Sequence, residues 1–270
     1  MKYYKFLIFI LLIFYSLIMV NFYFNNKRIY ANKIPVITFH RLVPDNIKNA
    51  LFKDNQWVGS IDKFKEMMEY LDNNGFYTLS SKEFVDWYNG TIDLPKKSIL
   101  ITFDDGFYED YYLAYPILKQ YNFKAVSFIV GSRINDITDQ YDESSKKQHF
   151  IGQDVIDKIR LDYPNWEFQS HSYDLHKYSN GKHQIEVSSN YEIYEDILKT
   201  KEFGFNVFAY PFGDYNDYIM KALEENNYDI AFGFGLKDYA RRSDLRYNIR
   251  RIKINGNANL AYLKNWLKYL

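Results

Sequence analysis

The sequence predicts an α/β barrel, closed or nearly closed, preceded by a transmembrane helix. Three observations predict it. Short apolar runs alternate with stretches of helical periodicity. Several of those runs end in reactive side chains. A long apolar stretch lies near the N-terminus.

That stretch runs from Phe6 to Phe24 and is broken only by Ser16 and Asn21. As a helix it would be about 28 Å long, close to the roughly 30 Å hydrocarbon core of a bilayer. Lys2 and Lys5 precede it, and "KRIYANK" behind it is a poor cleavage site. The expectation is an uncleaved signal anchor with a short linker over residues 1–32. Residues 33–270 would then form a monomeric domain at the cell surface. Secretion after cleavage is the second expectation.

Strand-like runs follow at 34–40, 75–80, 98–104, 124–130, 166–171, 206–211, 229–234 and 249–254. Helical patterns lie between most of them, at Ile61 to Asn73, Asp110 to Tyr121, Gln153 to Asp162, Tyr191 to Phe203 and Asn216 to Asn226. The last, Ala258 to Leu270, places Leu260, Leu263, Trp266, Leu267 and Leu270 on one face. Such alternation predicts a parallel sheet. The polar stretch Asn135 to Gln148 is expected to be a mobile loop.

Lys plus Arg and Asp plus Glu are 34 each, so no charge excess argues for nucleic acid. There is no Cys, which excludes disulfides and thiolate metal sites.

In an α/β barrel the C-terminal strand ends form the active face. Here His40, the pair Asp104–Asp105, His171 and Tyr210–Pro211 end four different runs. His171 and His176 are five residues apart, which separates them by about 140° on a helix, so they meet only on a loop. Two neutral imidazoles and one carboxylate make an open zinc set. One aspartate of the pair would bind the metal and the other would stay free as a base.

"TFDDG" (Thr102–Gly106) together with "HSYDLH" (His171–His176) resembles the polysaccharide deacetylases, carbohydrate esterase family 4. The five-residue His spacing, "VITFHRL" ahead of the aspartates, and "YPFG" (210–213) resemble the branch acting on poly-β-1,6-N-acetyl-D-glucosamine, a biofilm exopolysaccharide. The resemblance implies a distorted (β/α)7 barrel and one divalent ion, usually zinc. It implies Asp104 as general base, Asp105, His171 and His176 as metal ligands, and His40 as general acid. Many members orient the base with an arginine in the third motif. "AYPFGDY" has none, and Arg251 is expected to replace it, ahead of Arg250. Tyr210, with Pro211, Phe212 and Gly213 around it, would supply an oxyanion donor. Tyr108, Tyr173 and Phe212 flank the motifs as sugar-stacking candidates. Alternatives are a peptidoglycan or chitin deacetylase, or an inactive carbohydrate-binding protein of the same fold.

Overall fold

The computed structural model describes residues 2–138, 141–142, 146–234, 238–268 and 270. Eight strands form its main sheet: β1 (Val36–Phe39), β2 (Tyr77–Thr78), β3 (Ser98–Asp105), β4 (Ala125–Ile129), β5 (Trp166–Ser170), β6 (Val207–Ala209), β7 (Ile230–Phe232) and β8 (Ile252–Lys253). They lie side by side as β7–β6–β5–β4–β3–β1–β8, with β2 beside the start of β3, and every pairing is parallel. Every residue of β3 is buried, as expected for a parallel strand covered on both faces. The predicted run 249–254 is split. Ile249 pairs in parallel with Phe232, whereas Ile252 pairs with Ile37 of β1. One segment therefore reaches from β7 to β1 and draws the curled sheet toward closure.

The helices are α1 (Lys2–Ile29), α2 (Asp45–Leu51), α3 (Ile61–Asn73), α4 (Ser81–Tyr88), α5 (Tyr115–Gln120), α6 (Gln153–Asp162), α7 (Gln184–Val187), α8 (Asn190–Lys201), α9 (Asp217–Glu225) and α10 (Leu260–Leu267). The predicted helix 110–121 opens instead as one π-type turn, Asp110–Ala114, before α5. Pro116 explains part of this, because it has no N–H to give to an i−4 carbonyl.

Three helices end alike. The N–H groups of Phe76, Phe123 and Tyr228 donate to Leu71, Leu118 and Leu223 at 3.0, 2.9 and 2.9 Å. Gly75, Asn122 and Asn227 take positive φ between them, and an apolar pair closes each stop. These stops lie at the pole where the strands begin.

The chain reaches the same pole from α1. Lys96 N–H donates to Ile29 O and Ala31 N–H to Leu94 O, both at 2.9 Å. Trp87 Nε1 donates to Ala31 O at 3.0 Å, and Ile34 exchanges backbone hydrogen bonds with Ala240. The expected linker before residue 33 is thus a strap bonded to the domain, not a free tether. In α1 the side chains of residues 10–20 are exposed. Among the described residues no helix is long and apolar enough to cross a membrane.

The predicted loop 135–148 is described in part; residues 139–140 and 143–145 lie outside the described residues. Its described parts are tied down rather than free. Thr138 N–H donates to Asp154, and Arg41 donates to the carbonyls of Lys146 and Lys147 at 3.2 and 2.8 Å.

Candidate active site

Strand register brings the first two groups together. Thr38 lies opposite Thr102 in the β1–β3 pairing, and their hydroxyls hydrogen-bond at 3.0 Å. Side chains two residues on share that face, so His40 and Asp104 are the next pair. His40 Nε2 lies 4.0 Å from Asp104 Oδ2. Alternation alone would send Asp105 to the other face. Its left-handed backbone, φ 77°, interrupts the alternation, and both carboxylates line one cleft. Gly106 must follow: a Cβ there would lie 2.7 Å from Ile129 Cγ2, and its φ is 75°.

Asp104 is held by Arg251. Nη1 and Nη2 donate to Oδ1 and Oδ2 at 2.7 and 2.9 Å, and Nε donates to Gly233 O at 3.1 Å. Burial would raise the Asp104 pKa, but the guanidinium, with His171 and His40 adding to it, brings it down to about 2. Arg250 turns away to Asp238 and Asp244.

Asp105, His171 and His176 converge, with ligand atoms all within 4.8 Å of one another. His176 Nε2 and His171 Nε2 lie 3.1 and 3.7 Å from Asp105 Oδ1, a buried atom that makes no hydrogen bond. His171 Nδ1 donates to Ala209 O at 2.7 Å, which leaves the Nε2 lone pair facing the cluster. Burial lowers both imidazoles to about 4, with Arg133 a further cause at His176, so both are neutral at neutral pH. An orphaned carboxylate oxygen facing two neutral imidazoles fits a divalent ion. Arg133, which nothing in the sequence singled out, stands 3.0 Å from His176 Nδ1 and 3.8 Å from Asp105 Oδ1.

The cleft has a volume of about 660 Å³. Trp57, Phe234, Tyr178 and Phe212 line it beside the residues above. His40 packs against both Trp57 and Phe234, at 4.7 and 5.7 Å between ring centres, and burial lowers its pKa against the pull of Asp104.

Four expectations need correction. Tyr210 N–H donates to Phe232 O at 3.1 Å as part of the strand ladder, so it is not free for an oxyanion. Among the described residues the next amide, Phe212 N–H, meets no acceptor. Tyr173 lies outside the cleft, against Gly131 and under Lys199 Nζ, and so cannot stack on a sugar there. Phe212 lines the cleft, but imidazoles cover both of its faces. Tyr108 is absorbed into a cluster with Tyr111, Tyr112 and Tyr141.

Residues 91–231 match the polysaccharide deacetylase family model. Poly-β-1,6-N-acetyl-D-glucosamine N-deacetylase of Staphylococcus epidermidis is 29% identical over 217 residues, covering 76% of this chain and 70% of that protein. The enzyme of the same name from Staphylococcus aureus is 28% identical over 255 residues, covering 87% and 83%. In fold, IcaB from Ammonifex degensii superposes with a TM-score of 0.71 at 21% identity, over 88% of this chain and 98% of its own.

Proposed function

The chain belongs to the polysaccharide deacetylase family, and from that premise we propose that it removes acetyl groups from poly-β-1,6-N-acetyl-D-glucosamine in a biofilm matrix. As a member it is an N-deacetylase, a hydrolase of the acetamide C–N bond. The observation that carries the reading is the division of labour between neighbouring carboxylates: Arg251 forks onto Asp104, and two imidazoles face Asp105. The linkage rests on the two staphylococcal relatives and on the position of His40 ahead of the aspartates.

Asp105, His171 and His176 would hold one divalent ion, zinc by its donor set. Such an ion polarises the acetamide carbonyl and acidifies water. Asp104 takes the proton of the attacking water, and Arg251 keeps that carboxylate ionised and aimed. Phe212 N–H would donate to the developing oxyanion. Water adds first, forming the C–O bond; as the tetrahedral carbon collapses the C–N bond breaks, and His40 protonates the departing amine. Burial keeps His40 neutral before turnover, and Asp104, 4.0 Å away, offers a short route for the proton it needs. The products are acetate and a glucosamine unit.

Residues 1–32 would anchor the catalytic domain, 33–270, to the membrane at the cell surface; the exposed apolar side chains of α1 support this. The strap enters at the pole opposite the cleft, which would hold the cleft away from the lipid. The domain is read as a monomer.

The test is mass spectrometry of β-1,6- and β-1,4-linked N-acetylglucosamine oligomers incubated with the full chain in detergent. Loss of acetyl mass from the β-1,6 series is expected. Loss only from β-1,4 chitin oligomers or muropeptides would replace the substrate, and loss from none would favour a binding protein.

A further inference from the structure

His183 lies in a polar stretch that carries no motif, yet the fold returns it to the site. After His176 the chain makes a hairpin, in which Tyr178–Ser179 pairs antiparallel with Lys182–His183. Its turn, Asn180–Gly181, has φ of 51° and 78°, both positive as the tight two-residue hairpin turn requires. The hairpin brings His183 behind Phe212. The His183 and Phe212 rings stack at 4.0 Å with an 8° tilt, and on the other face of Phe212 the His176 ring stacks at 4.4 Å with a 19° tilt. Phe212 is thus pressed between a metal-ligand candidate and a second imidazole.

Both nitrogens of His183 are engaged. Nδ1–H donates to the Asp214 carboxylate, which can only accept, and Nε2 accepts from Tyr178 Oη at 2.9 Å. The ring plane is therefore set from two sides. Asp214 is two residues beyond Phe212, so the same loop supplies the stacked ring and the group that orients its backing. Phe212 needs that backing because its φ is 59°, a left-handed conformation that a bulky non-glycine residue rarely adopts. Gly213 is wedged from the far side: a Cβ there would meet Phe234 Cβ at 2.5 Å, and Phe234 packs on His40.

We propose that His183, fixed by Asp214 and Tyr178, is a positioning residue that holds the His176 ring in its metal-binding orientation through Phe212. It touches neither substrate nor metal. The proposal rests on the reading of His176 as a ligand. The zinc measurements below need that reading, and the resonance measurement does not.

The experiment compares the wild-type full chain with His183→Ala, His183→Phe and Asp214→Asn, each stripped of metal. Zinc affinity is read by competition with a chromophoric chelator. His183→Ala should weaken zinc binding by about 10–100-fold, the usual range for losing a group that orients a ligand. His183→Phe should recover most of it, because a phenyl ring keeps the stack without the hydrogen bonds. Asp214→Asn should fall between. The metal-free proteins also give a reading on His176 itself. Its ring-proton resonances, displaced by the Phe212 ring in the wild type, should move toward ordinary positions in His183→Ala. Unchanged zinc affinity and unchanged His176 resonances in His183→Ala overturn the proposal. So does a His183→Phe protein as weak as the alanine variant. If the alanine variant does not fold, His183→Phe and Asp214→Asn decide: near-wild-type affinity in the first and a measurable loss in the second support the proposal, and the reverse overturns it. A wild-type chain that binds no zinc sinks the ligand reading, while the resonances still decide whether His183 positions His176.

Discussion

The two poles of the barrel handle the same backbone problem differently. Where the strands begin, the chain takes positive φ at Gly75, Asn122 and Asn227, residue types that adopt it readily, and each ends a helix with a 6→1 hydrogen bond. Where the strands end, it takes positive φ at Asp105, Ser172 and Phe212, which cap no helix, and neither serine nor phenylalanine favours it. Buried polar atoms without a hydrogen bond occur near the rim and also at Asp244 Oδ1. Asp105 Oδ1 is buried without a hydrogen bond at the rim, and nearby Glu109 Oε2, Asp110 Oδ2 and His149 Nδ1 are too. The strap from Ile29 to Ile34 is hydrogen-bonded throughout the pole. Unfavourable backbone conformations at serine and phenylalanine collect at the end that carries the candidate site, whereas the other end uses glycine and asparagine.

The largest break in this comparison comes from the rim imidazoles. A His171→Ala/His176→Ala variant should lose bound metal and activity together. His40→Ala should keep its metal, measured by elemental analysis, while turnover falls by about 10²–10⁴-fold. Full metal occupancy in the double variant would refute the ligand set, and metal loss in His40→Ala would make His40 a ligand.

Arg251→Gln comes next. It leaves the Asp104 carboxylate buried without its partner, which should lower stability by about 3–5 kcal/mol at neutral pH. The sign follows from the folded pKa of about 2, below the unfolded value of 3.8. The pairing contributes fully above the unfolded value and is lost as pH falls through about 2. Without Arg251, burial raises the carboxyl and it protonates early, so the deficit should shrink between pH 7 and pH 4. Thermal melts at the two pH values check this; a deficit independent of pH would mean that packing, not charge, is what Arg251 supplies.

The smallest effect belongs to the opposite pole. Asn122→Ala should cost about 1–2 kcal/mol from its left-handed backbone and leave zinc affinity and turnover per folded molecule unchanged. Altered zinc affinity in that variant would erase the distinction between the two ends.

Much of the fold and site was legible in the chain. Parallel strands buried on both faces read as apolar runs, so a His or Asp closing such a run marks a rim position without any structure. The S-x-x-E stretch from Ser80 to Glu83 caps α4, and Asn180–Gly181 turns the hairpin; both are local signals that a sequence reading can use. Arg133 and His183 left no such signal, because their roles depend on rings and carboxylates supplied by distant segments. Tyr173 and Phe212 had the right chemistry for sugar stacking. Packing had already claimed their surfaces.

What the sequence determined by itself was the set of reactive groups and the strand ends that present them, since both follow from residue type and a period of two. It also narrowed the base-orienting residue to two adjacent arginines. Only the tertiary structure decided between them. Arg251 reaches Asp104 and Arg250 turns toward Asp238 and Asp244, because neighbours on an extended chain face opposite sides. It also separated two chemically identical aspartates. Asp104 meets a guanidinium 147 residues away, and Asp105 meets two imidazoles more than sixty residues on. Electrostatic character depends on distance through space and on burial, and neither is written in the order of residues along the chain.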